Sequence, residues 1–90
     1  MDTVKVQKIV LDVLKPMEPS ILELSRNINA VDGVDKVSVD ILEIDKKVEN
    51  VKISIEGPSL HYENINRIIE NMGATIHSID NVLTIKEPSD

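Results

Sequence analysis

The chain has no cysteine, no tryptophan and no phenylalanine, and Tyr62 is its single tyrosine. Without cysteine there can be no disulfide, no thiolate metal site and no cysteine nucleophile. With one aromatic ring there is no stacking platform for bases, which single-stranded nucleic-acid binders need. No apolar run approaches the roughly 20 residues that cross a bilayer as a helix. The opening Met1-Asp2-Thr3 shows no basic stretch followed by an apolar one, so no signal peptide is expected. A cytoplasmic protein that engages neither membrane nor nucleic acid is the expectation.

What is present is branched and charged. Hydrophobic residues make up 41% of the 90 positions, nearly all Val, Ile and Leu, and charged residues 29%. That mix is globular rather than disordered, and its β-branched residues favour strands. Sixteen acids against ten bases leave a net charge of −6. Bases such as Lys8, Lys36, Lys47, Arg67 and Lys86 are scattered among acids. A phosphate backbone would be repelled rather than gripped.

Hydrophobic phase organises the chain into six elements. From Val4 to Leu14, one alternating face carries Ile9, Leu11 and Val13, and the other Val6, Lys8, Val10, Asp12 and Leu14. Ser20 with Glu23 forms a capping-box pattern, and Ile21, Leu24, Ile28 and Val31 follow at helical spacing until Asp32-Gly33. A second strand, about Val34 to Ile44, changes phase at Leu42, which predicts either a bulge or two partly covered faces. Asp45-Lys46-Lys47 is a turn into a third strand with Val51, Ile53 and Ile55 in phase. Ser59 is the expected cap of a second helix with Tyr62, Ile65, Ile68, Ile69 and Met72 as its stripe. The last strand, from Ala74 to about Ile85, loses phase, so a kink is expected near Asp80-Asn81, with the remainder free to pair with another chain.

The order β-α-β-β-α-β in two similar halves defines an α+β, ferredoxin-like fold. It has a four-stranded antiparallel sheet in the order 4-1-3-2 with both helices on one face. Residues 1–87 form the single domain and 88–90 a frayed tail. The opposite sheet face would carry Val6, Val10 and Leu14. A face so apolar predicts cover by another subunit, with Asp12 and His77 at the same contact.

Several separated stretches carry a family likeness. They are Leu11-Asp12-Val13-Leu14-Lys15-Pro16, Glu43-Ile44-Asp45, Glu49-Asn50-Val51-Lys52, Ile55-Glu56-Gly57 and Ile76-His77-Ser78-Ile79-Asp80. Together they resemble a small archaeal family known as a domain of unknown function (number 211). The resemblance implies a ferredoxin-like fold and a ring-like homo-oligomer, and no activity attaches to it. The element order is also similar to amino-acid-binding regulatory domains of the ACT type. Those bind at the first strand–helix loop, where a glycine usually lets backbone amides approach the ligand. Here that loop, Lys15 to Ser20, holds two prolines and no glycine.

Three candidate sites follow. Lys15, Glu18 and Ser20 at the first loop would suit a small zwitterion, or else are a solvated lysine, a helix-start acid and a cap. Glu43, Asp45 and Glu49 around the hairpin offer oxygens for calcium or magnesium, or else form a salt-bridged turn. Asp12 beside His77 has the chemistry of an acid–base pair or a metal site, or else pairs at a subunit contact. His61 reads as a surface residue.

Other activities of the fold fail on required residues. A soft-metal chaperone needs paired cysteines, and an acylphosphatase-like site needs an arginine cradle in the first loop. An RNA-recognition sheet needs aromatics where Lys8, Val10, Lys52 and Ser54 stand. The expectation is a non-enzymatic, self-assembling module that binds a small metabolite or cation at subunit junctions. The alternatives are a purely structural or protein-interaction module and a weak enzyme using Asp12 and His77.

Overall fold

The computed structural model describes residues 2–88. Six elements follow one another: β1 (Thr3–Pro16), α1 (Ile21–Asn29), β2 (Lys36–Ile44), β3 (Val48–Glu56), α2 (Tyr62–Asn71) and β4 (Thr75–Glu87). The sheet order is β2-β3-β1-β4, all antiparallel, which is the expected 4-1-3-2 read from the other edge. The proposed tail begins at Pro88; its residues 89–90 lie outside the described residues.

The core forms where period-two strands meet period-3.6 helices. Ile9, Leu11 and Val13 of β1 pair with Ile55, Ile53 and Val51 of β3. Opposed residues of an antiparallel pair share a face, and these rows are buried beneath Leu24 and Ile28 of α1 and Ile65 and Ile69 of α2. Helix α1 starts as expected, with the Ser20 hydroxyl accepting from the Glu23 amide at 3.3 Å. The reciprocal half of the capping box is not made, because the Glu23 carboxylate pairs with Arg26 instead, also at 3.3 Å.

Helix α2 corrects the expected cap. His61, not Ser59, occupies the N-cap, and it makes no side-chain capping bond. Ser59 is held two residues earlier, where its carbonyl lies against Gly33, while the Gly33 carbonyl lies against Gly57. A β-carbon on either glycine would strike those carbonyls. Gly33 also has φ +90°, so glycine is required there on both counts. This close approach ties the α1–β2 and β3–α2 connections together.

Bulges decide the irregular strands. Opposite β3, the β2 register slips between Ile41 and Glu43, so Leu42 is the extra residue and the bulge alternative holds. Along β1 and β4 three residues are left without partners: Gln7, Asp80 and His77. The kink expected near Asp80-Asn81 is thus the Asp80 bulge. Contrary to expectation, β4 needs no other chain to pair, because it follows β1 over its whole length.

The Gln7 bulge overturns one facing. Plain alternation puts Val6 on the open face, but it packs against the helix-side core. The bulge restarts the alternation, so residues on its two sides fall out of phase. Below Gln7 the pairing of Val4 to Val6 with Thr84 to Lys86 runs beyond the last paired residue of β3, leaving a two-stranded overhang.

Candidate functional site

The first strand–helix loop is organised around a buried charge. Lys15 continues the alternation of Ile9, Leu11 and Val13 onto the helix side of the sheet, where it is 0% exposed. Its register partner on β3 is Glu49, which shares that face. The Nζ lies 2.6 Å from Glu49 Oε1. It also donates to the carbonyls of Pro16 at 2.7 Å, Met17 at 3.2 Å and Pro19 at 2.5 Å. An ammonium group has three protons to give, and four oxygens already surround it. Nothing is left for a ligand.

Two expectations therefore fall. The zwitterion site fails because Lys15 is enclosed by its own loop, while Glu18 is exposed and Ser20 is spent on the helix cap. The Glu43–Asp45–Glu49 cation site fails because the three do not converge. Glu49 faces the helix side and is paired with Lys15, and Glu43 stands opposite Asn50 on the open face. Asp45 caps its own turn, accepting from the Lys46 amide at 2.7 Å. Among the described residues no group of three or more acidic or histidine side chains is placed to hold a metal.

The open face is polar, not apolar. Its register rows run Lys36–Glu56–Lys8–Leu83, Ser38–Ser54–Val10–Asn81, Asp40–Lys52–Asp12–Ser78 and Glu43–Asn50–Leu14–Thr75. Val10, expected to demand a neighbouring subunit, is 7% exposed within the single chain. Of the three apolar residues expected at that contact, Leu14 alone is exposed on this face, where Leu83 of β4 is the other exposed large apolar group in these rows. The reason for covering the open face is thereby removed.

Asp12 and His77 do not form a pair. Asp12 Oδ1 accepts a hydrogen bond from Asn50 Nδ2, and the register places Lys52 and Ser78 on either side of it. His77 is the unpaired bulge residue next to Ser78 and is exposed. Ser78 donates to Asp80 at 2.7 Å. Among the described residues no hydrogen bond or ion pair joins Asp12 to His77. His61 is exposed, as expected, beside a surface groove of about 440 Å³ at the start of α2.

Two residues escaped the sequence reading: Asn50, the partner of Asp12, and Glu49 in its role as the partner of Lys15. The Lys15 signal was present. It lies two places after Val13 on the dry phase of the strand, and a charge on a dry phase implies a buried partner.

Apart from Leu22 on α1, the exposed large apolar residues gather in two places. At the hairpin end of the sheet are Leu14, Met17, Ile41, Leu42, Ile44 and Val48. On and beside the outer strand β4 are Ile79, Val82, Leu83 and Val4. The sheet joins these regions but buries neither.

These features define a ferredoxin-like α+β module with a self-filled first loop, a polar open face and two separate apolar surfaces. Its sequence matches, over residues 7–87, the family described as "Uncharacterized ArCR, COG1888" (DUF211), and the chain belongs to that family. It is similar to "Uncharacterized protein MJ0319" of Methanocaldococcus jannaschii, with 45% identity over 82 residues, covering 91% of this chain and 84% of the relative. Among the described residues, no helix is long and apolar enough to cross a membrane.

Proposed function

We propose that the chain is a non-catalytic module that assembles with copies of itself, seating the hairpin end of one copy on strand β4 of the next. The observation that supports this reading is the pair of unlike apolar surfaces. One lies at the β2–β3 end and the other along the opposite edge strand of the same sheet. Exposed apolar groups clustered in this way mark contact surfaces. Because the two surfaces differ, their union is head-to-tail, and head-to-tail contacts propagate until a ring closes or a fibre grows. The contact differs from the one expected from sequence, since the open face no longer needs cover.

Sedimentation at micromolar concentration tests it. Wild type is expected well above its 10.0 kDa chain mass. Val82→Lys and Ile44→Lys, each spoiling one surface, are expected to give single chains when alone. Mixed together, they should form pairs, since each retains the surface the other lacks. A wild type that sediments as a lone chain would overturn the reading and favour a module that engages a different protein through the same surfaces.

A further inference from the structure

We propose that the β1–α1 loop is a binding cradle for a primary ammonium ion, filled in this protein by the side chain of its own Lys15. Three backbone carbonyls and a carboxylate oxygen converge on one point at 2.5–3.2 Å from Lys15 Nζ. Ligation by backbone and carboxylate oxygens is how proteins hold hard cations. Without a positive charge, the same oxygens would face one another across a buried space with no compensating donor, and the loop would lose its reason to close.

The loop's composition fits this role. Pro16 and Pro19 supply two of the carbonyls and carry no N–H of their own. No amide from either residue competes for the oxygens. Glu49 arrives from β3 through its register with Lys15, so the cradle is half loop and half sheet. The residue that would bring the cation is also the last helix-side residue of β1, and its aliphatic stem extends the buried row of Ile9, Leu11 and Val13.

If the cradle recognises the ammonium itself, the ion need not be attached to the chain. Lys15→Ala removes three methylenes and the amine, which together correspond to propylammonium. Thermal melts of the Lys15→Ala protein should shift upward by about 5 °C in about 100 mM propylammonium, because a ligand bound only by the folded state raises its melting point. Wild type should shift little under the same conditions, as should Lys15→Ala in 1-propanol, which fills the stem without the charge. Should Lys15→Ala not fold in plain buffer, refolding yield with and without propylammonium gives the same readout.

Glu49→Gln in the Lys15→Ala background should weaken the rescue severalfold in required concentration. A second variant, Lys15→Met, keeps the stem and deletes the charge, and is expected to melt well below wild type. Equal effects of propylammonium and 1-propanol, no effect of either, or a Lys15→Met protein as stable as wild type would each overturn the proposal.

Discussion

The central strand β1 and the outer strand β4 share rows of paired aliphatic residues yet meet different surroundings. Leu11 faces Ile79 across the ladder, and Ile9 faces Val82. Leu11 and Ile9 are 0% and 3% exposed, whereas Ile79 and Val82 are 48% and 51% exposed. Strand β1 has a neighbour on each side and helices above it; β4 has one neighbour and an open flank. Only Ile76, close to the end of α2, is drawn toward the core. Hydrophobic sequence thus marks what a strand is able to bury, and the number of layers around it determines what it does bury. The excess on β4 is what a second chain would use.

The comparison can be broken most directly at its paired row. Leu11→Ala should lower unfolding stability by about 3 kcal/mol, the usual result of a cavity in a closed core. Ile79→Ala should change single-chain stability by less than about 1 kcal/mol, and denaturant titration of both variants decides. Similar losses would mean that β4 is as enclosed as β1.

A smaller effect is expected at the junction where β3 turns away and β1 continues with β4 alone. Gly57→Ala would push its methyl into the Gly33 carbonyl and should destabilise by about 2 kcal/mol. Because Gly57 also donates to the Gln7 carbonyl at 3.1 Å, amide exchange should quicken around Gln7 before it does around Leu11. Uniform acceleration along β1 would show that the overhang is not a separate unit.

The smallest change is expected in the layer that covers the centre of the sheet. Ser20→Ala should lower the melting point by the equivalent of about 1 kcal/mol, since it deletes the cap of α1. Ser59→Ala, which removes no cap, should be near neutral by the same measurement.

Much of this architecture was legible in the residues. Ile9, Leu11 and Val13 set the dry side of β1; Val51, Ile53 and Ile55 set that of β3. The stripes of both helices were also readable, because local periodicity reports directly on burial. The candidate sites were less legible. Lys15, Glu49, Glu43 and Asp12 differ in function through their partners, and partners are a matter of register. A single bulge at Gln7 moved Val6 to the opposite face, and another at Leu42 put Glu43 and Glu49 on different faces. The Gln7 shift leaves no mark that distinguishes it from ordinary alternation, whereas the change of phase at Leu42 signals a bulge without saying which carboxylates it parts.

By itself the sequence determined the element order, the aliphatic core and the exclusion of thiol chemistry and base stacking, because composition and period act over a few neighbouring residues. The tertiary structure decided that Lys15 is an internal ion rather than a ligand's anchor. It also decided that the open face is wet and that the spare hydrophobicity lies on β4 and the hairpin. Those outcomes depend on which strands are central and where their registers slip, and such choices are settled only when distant segments meet.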